Sequence, residues 1–238
     1  RYLTGCKVYA AIVPDKSYYL AEANGYPAMD YGMLLEKMEQ GMPYARYVNL
    51  TDLLRGEDYY RTDTHWRQER LLPVANRLCA AMNTAAPVGL TAVERDAPFY
   101  GVYYGQAALP MKPDTLYTME GPWLENCRVF NYETGKYGPV YDESKLRGAD
   151  LYETFLSGSV SLLRMDNPAG EPGRRLIVFR DSFGSSLVPL LAMGYESVTV
   201  VDIRYISSAM LDRFIRFSDQ DVLFLYSTLV LNNSGTLQ

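Results

Sequence analysis

The sequence predicts an α/β protein built on a parallel sheet. Three observations predict it. Continuous apolar runs of strand length, at residues 7–13 and 176–179, stop at polar or Pro-containing loops, as strands buried on both faces do. Strand and helix segments alternate at both ends of the chain, at the pace of parallel strands joined by crossover helices. Between them, from about residue 87 to 165, the helical period disappears and short β-rich runs with many Gly and Pro take over. At 238 residues, one large α/β domain or two small ones fit. We therefore expect a single domain over 1–238, with 87–173 as an inserted β-rich subdomain forming a separate layer.

The elements follow in order. Residues 7–13 read as a buried strand ended by Pro14-Asp15-Lys16. Residues 30–42 read as a helix with Asp30 at its N-cap and Gly41 near its end. Residues 46–50 read as a second strand. Residues 66–82 carry Leu71, Leu72, Val74, Ala75, Leu78 and Ala81 at amphipathic-helix spacing. In the middle, 99–104, 115–119, 128–132 and 159–165 read as strands, and 167–173 as a turn-rich connection. Strands at 176–179, 197–203 and 221–225 then alternate with helices at 185–193 and 208–217. Five of these strands can make one doubly wound sheet.

Composition narrows the function. A net charge of −5 gives no basic excess for nucleic acid or an anionic membrane surface. No apolar run reaches the ~18 residues that span a bilayer. Cys6, Cys79 and Cys127 are odd in number and lack CxxC spacing, so they read as incidental thiols and support neither a zinc site nor a disulfide framework. The chain lacks an initiator Met and reads as starting mid-protein, with an upstream signal or anchor expected before it. Tyrosines are abundant, at 21, and many lie in the middle, among them Tyr103, Tyr104 and Tyr152. A flat apolar face with a polar tip suits a sugar-lined groove, and equally suits half-buried β-strands.

The one histidine, His65, lies in Asp63-Thr64-His65-Trp66. Asp181-Ser182 follows the strand at 176–179 and precedes Gly184 and a helix. Together they supply a serine, a base and an orienting carboxylate, the parts for nucleophilic acyl transfer. In an extended or turn conformation residues 63 and 65 point the same way. Asp63 would then accept from Nδ1–H and leave Nε2 facing a serine. Ser182, beyond the carboxyl end of a strand, would sit where doubly wound folds bind ligands, against a helix N-terminus. Gly184 would give a sharp turn and a close substrate approach. The alternative for Asp181-Ser182 is helix capping, and for His65 it is a histidine packed under Trp66.

Taken together, these residues resemble the bacterial DHHW protein family and the SGNH-hydrolase-like alginate O-acetyltransferases. Tyr59 to Trp66 resembles the Asp-X-His-Trp block, with Thr64 where the name motif has histidine. Pro14-Asp15-Lys16 is similar to a Pro-X-Lys after the first strand. Phe179-Arg180-Asp181-Ser182-Phe183-Gly184 resembles a Gly-Asp-Ser-Phe-Gly block, with Arg180 in the glycine position. Asp202-Ile203-Arg204 resembles an Asp-X-Arg segment. Phe155-Leu156-Ser157-Gly158-Ser159 resembles a Phe-Leu-Gly-Gly-Asn block, with Ser159 replacing Asn. The resemblance implies an SGNH-like three-layer α/β/α fold with permuted motif order, Ser182 as nucleophile, His65 as base and Asp63 as orienter. It also brings forward Gly158 as an oxyanion candidate and Arg204 as a substrate contact, beside Gly184, read from its place after Ser182, and Tyr103 and Tyr104, read from the Tyr-rich middle. Arg204 reads equally as half of a structural pair with Asp202, and Lys16 has the same status.

The expected function is a serine esterase or O-acyltransferase acting on a cell-surface carbohydrate through acyl-Ser182, without metal or cofactor. The expected setting is extracytoplasmic, and a membrane-bound protein is the expected acyl donor. The alternatives are a catalytically silent glycan-binding module and an envelope scaffold on the same fold.

Overall fold

The computed structural model describes residues 3–108 and 110–237. Among them the main sheet holds eight strands in the order β2-β1-β10-β8-β9-β7-β5-β6. These are β1 (Lys7–Val13), β2 (Arg46–Tyr47), β5 (Arg128–Asn131), β6 (Lys136–Gly138), β7 (Leu162–Asp166), β8 (Arg175–Arg180), β9 (Ser197–Val201) and β10 (Asp221–Ser227). The five strands from both ends of the chain, β2, β1, β10, β8 and β9, pair in parallel.

Alternation along each strand builds two cores. Tyr9, Ala11 and Val13, Leu176 and Val178, Leu223 and Leu225 face one side. There they meet helices α3 (Leu72–Met82) and α6 (Phe183–Leu191), through Val74, Leu78, Leu187 and Leu190. Ile177, Phe179, Val201, Val222 and Tyr226 face the other side, against Leu211, Ile215 and Val230. Helical turns thus cover both faces of a mostly parallel sheet, the three-layer α/β/α arrangement of SGNH-like proteins. The chain leaves β8 through α6 to reach β9, then returns over the opposite face to β10 on the far side of β8. That reversal opens the crevice beyond the carboxyl ends of the strands.

The middle of the chain corrects one expectation. It is not a layer of its own. β7 pairs antiparallel with β9, and β5 and β6 continue outward, so they extend the main sheet. Without them β9 would end the sheet as a bare edge carrying Val198, Val200 and Val201. Among the described residues only β3 (Thr91–Phe99) and β4 (Asp114–Glu120) stand apart, as an antiparallel ribbon.

Several boundaries also move. The helix expected from residue 66 starts at Leu72, after a 3₁₀ turn at Gln68–Arg70, with Pro73 in its first turn. The strand expected at 99–104 ends at Phe99, and helix α4 (Val102–Ala107) follows. The helix expected at 208–217 is a 3₁₀ turn, Ser208–Arg213. Among the described residues no helix is long and apolar enough to cross a membrane.

Candidate active site

Ser182 follows Asp181 directly after β8 and opens α6. Fully buried Asp181 does the capping: its carboxylate accepts the Phe183 N–H at 3.0 Å and the Ser227 N–H at the end of β10 at 2.7 Å. The Ser182 side chain makes no capping bond and is left for other chemistry.

His65 comes from a tight loop between Tyr59 and Trp66, which bridge each other. Tyr60 N–H donates to the His65 carbonyl at 3.0 Å. Asp114 accepts the N–H groups of Arg61 and Thr62 and the Thr62 hydroxyl. The Lys16 ammonium donates to the Tyr60 carbonyl at 2.5 Å. The loop is therefore fixed by its own bridge and, from outside, by Lys16 and by Asp114 of β4 before any substrate arrives.

Within it, Asp63 Oδ1 lies 2.5 Å from His65 Nδ1, and His65 Nε2 lies 2.8 Å from Ser182 Oγ. A carboxylate can only accept, so the ring proton belongs on Nδ1 and Nε2 accepts from the serine hydroxyl. Asp63 is 2% exposed and the His65 side chain 12%. Burial alone would raise the Asp63 pKa. The hydrogen bonds and charge of His65, with the N–H groups of His65 and Val102, outweigh it and hold the carboxyl below its ordinary value. Val102 N–H, at the start of α4, donates to Asp63 Oδ2 at 3.0 Å. Gly101 permits that approach, since a Cβ there would overlap the Asp63 side chain.

The remaining candidates divide. Gly158 has φ +78° and follows Leu156 and Ser157, both also left-handed. Its N–H donates to the Phe155 carbonyl at 3.2 Å, so it is engaged within its own turn and does not face an oxyanion. Gly184 is buried, and a Cβ there would lie 2.6 Å from Arg180 Cβ. Its lack of a side chain therefore makes room for Arg180, where a close substrate approach was expected. Arg204 donates to Asp202 through Nε at 2.9 Å and a terminal nitrogen at 2.6 Å, the structural pairing. Arg180, 1% exposed, shares the same carboxylate at 3.1 Å and also reaches the Gly158 carbonyl.

Tyr103 and Tyr104 lie on α4, directly after the Val102 N–H that contacts Asp63. Tyr103 is half-buried beneath the Lys16 ammonium, 4.7 Å from its ring centre, and Tyr104 is exposed beside Tyr100 with rings 4.5 Å apart. Burial lowers the Lys16 pKa to about 8, with Asp63 and Asp114 opposing. The His65 loop also borders a cavity of about 530 Å³ lined by Lys16, Tyr60, Arg61, Asp114 and Tyr117 among others. Among the described residues no group of three or more His, Cys, Asp or Glu side chains is placed to hold a metal.

Sequence reasoning missed the residues behind the site. Trp66 Nε1–H donates to the Phe183 carbonyl and the Ser186 hydroxyl, both at 3.0 Å. Gln68 donates to the Ser186 carbonyl at 2.7 Å and accepts from Met119 N–H. Tyr152 stacks on the His65 ring. The signal available was helical spacing: Ser186 is four residues after Ser182 and shares its face.

The family model described as DHHW protein matches residues 24–201. The chain belongs to the DHHW protein family. A crystal structure of a DHHW family protein from Eubacterium siraeum is 22% identical, with a TM-score of 0.78, covering 98% of this chain and 82% of that one. PatB1 of Bacillus cereus, solved with a sulfonyl adduct, is 15% identical, with a TM-score of 0.68 and coverage of 99% and 84%. The O-acetyltransferase domain of Pseudomonas putida AlgJ is 15% identical, with a TM-score of 0.53 and coverage of 95% and 76%. At these identities the likeness establishes a shared fold. No curated protein matches the chain.

Proposed function

We propose that this DHHW protein is a serine esterase or O-acyltransferase that moves an acyl group, acetyl above all, on or off a cell-surface carbohydrate. One observation carries the reading: the unbroken relay Asp63–His65–Ser182, at 2.5 and 2.8 Å, at the carboxyl end of a parallel sheet.

Ser182 Oγ attacks the acyl carbonyl carbon as its proton passes to His65 Nε2. The ester C–O bond then breaks, and the leaving alcohol takes that proton. Water or a sugar hydroxyl next attacks acyl-Ser182, its proton passing through Nε2 back to Ser182 Oγ. Hydrolysis and transfer share the acyl-enzyme and differ only in the second attacker. Asp63 holds the tautomer and supports the imidazolium; its lowered pKa keeps it ionised throughout. The Ser182 N–H and the N-terminal dipole of α6 are the oxyanion donors this geometry favours, since the Phe183, Gly184 and Gly158 N–H groups are engaged elsewhere.

The carbohydrate assignment rests on the exposed Tyr100–Tyr104 pair beside the Asp63 end of the relay, a surface suited to a sugar face. The AlgJ neighbour is an O-acetyltransferase domain, and the PatB1 neighbour accepts a sulfonyl group, a reagent class that traps activated nucleophiles. An extracytoplasmic setting and a membrane-bound acyl donor belong to the same proposal. The test is hydrolysis of a chromogenic acetyl ester by wild type and Ser182→Ala, with sulfonyl fluoride labelling of both. Turnover and labelling in wild type, both lost in the variant, are expected. Equal activity of the two proteins, or neither turnover nor labelling in wild type, overturns it.

A further inference from the structure

The His65 ring is clamped from a side the relay does not use. The Tyr152 ring lies 3.8 Å from it, centroid to centroid, with the planes 10° apart. Tyr152 is 4% exposed, on the 3₁₀ turn Leu151–Thr154, whose N-cap Asp150 accepts the Tyr152 N–H at 2.9 Å. Its hydroxyl lies 2.8 Å from Ser186 Oγ, one helical turn behind Ser182. Trp66, covalently next to His65, donates to the same Ser186 oxygen. Two independent arms from the imidazole, one stacked and one along the chain, thus end on one atom of the helix that carries the serine.

An imidazole held only by Asp63 can still swing about its Nδ1–H bond. A second ring parallel to it removes that freedom, and the tie to Ser186 sets the ring plane relative to Ser182. We propose that Tyr152 is a positioning residue for acyl transfer: its face fixes the plane of His65, and its hydroxyl, through Ser186, registers that plane against the nucleophile helix. The inference rests on the proposed reaction, and His65 as the sole histidine gives it a separate readout, because every imidazole signal in a proton spectrum belongs to this one ring.

The experiment compares wild type with Tyr152→Leu, Tyr152→Phe, Ser186→Ala and the Phe/Ala double variant. Tyr152→Leu removes the face and should lower kcat about 10- to 100-fold with KM for a small ester unchanged, the loss expected when a catalytic group is misplaced by about 1 Å. It should also broaden the downfield Nδ1–H signal of His65 and move the ring carbon protons out of the tyrosine ring current. Tyr152→Phe keeps the face and the ring-current shift, and should cost several-fold in kcat. Ser186→Ala, which also removes the Trp66 arm, should cost at least as much, and the double variant should be no slower than Ser186→Ala, because the Tyr152–Ser186 link is already broken there. Wild-type kcat and an unchanged His65 spectrum in Tyr152→Leu would overturn the proposal. So would losses that multiply in the double variant, an arm that decides the matter even where the leucine variant fails to fold. A wild type without turnover or labelling would defeat the functional reading alone, since the His65 spectra still report whether Tyr152 orders the ring.

Discussion

Replacing Arg180 with Met should leave stability within about 1 kcal/mol of wild type, although it deletes a fully buried charge. The lost bond to Asp202, at 3.1 Å, is charge-assisted and contributes about 1.5–3 kcal/mol, and the 3.4 Å contact to the Gly158 carbonyl adds about 0.5. Against that, the guanidinium no longer has to be desolvated. Its Nε is buried with no hydrogen-bond partner, a cost of about 1–3 kcal/mol that Met does not carry. Asp202 stays satisfied, because the Arg204 side chain donates to both its oxygens and the Arg204 N–H to one. Asp202→Ala is the contrasting perturbation. It leaves Arg180 buried without its counter-ion, and removing one partner of such a pair costs about 3–5 kcal/mol. Urea unfolding at pH 7, followed by circular dichroism with linear extrapolation, resolves the difference. An Arg180→Met loss as large as that of Asp202→Ala, or an Asp202→Ala loss below about 1 kcal/mol, would refute this account of the cluster.

Asp63→Asn should lower ester turnover by about 10⁴, because an amide no longer dictates the His65 tautomer; wild-type turnover in that variant would contradict the relay. Since the folded Asp63 pKa is lowered, its stabilising contribution is present above the unfolded carboxylate pKa and lost as pH falls through the folded one, so the stability gap between wild type and Asp63→Asn should narrow in acid. Folded Lys16 gives up its proton near pH 8 while the unfolded chain holds it to ~10.4, so the unfolded state binds more protons between them. Wild-type stability relative to Lys16→Met should therefore rise across that window; a flat difference would show that Lys16 titrates normally. Tyr104→Ala should weaken binding of an acetylated oligosaccharide by isothermal calorimetry and spare turnover of a small chromogenic ester, and equal binding by both proteins would remove the aromatic platform from the substrate site.

Much of the fold was legible because its strands are nearly continuous apolar runs, whose periodicity needs no partner to be read. Pairing was harder to read. Residues 159–165 look like a strand in isolation, but nothing local says that β7 lines up antiparallel to β9, with Leu162 opposite Val201 and Asp166 opposite Ser197. Tertiary contacts also decide α4: Val102 begins a helix where its N–H finds Asp63, and the apolar residues around Gly101 suggest a strand only while that carboxylate is out of view. At the site, a single histidine and a strand–Asp–Ser–helix junction brought out the residues now found in contact. Their roles remain a proposal. Gly158 and Gly184 were read through the chemistry glycine permits, whereas their surroundings show a turn bond and room for Arg180. Tyr152 was one tyrosine among 21 until its ring lay against His65.

The central claim is that Ser182 becomes acylated. Wild-type protein mixed with an activated acetyl ester, quenched in acid within milliseconds, digested and analysed by mass spectrometry, reports it directly. The account predicts one acetyl group on the peptide containing Ser182, accumulating before steady state and absent from Ser182→Ala. Turnover with that peptide unmodified at every time point, or acetyl carried at equal occupancy on surface lysines in both proteins, would contradict it.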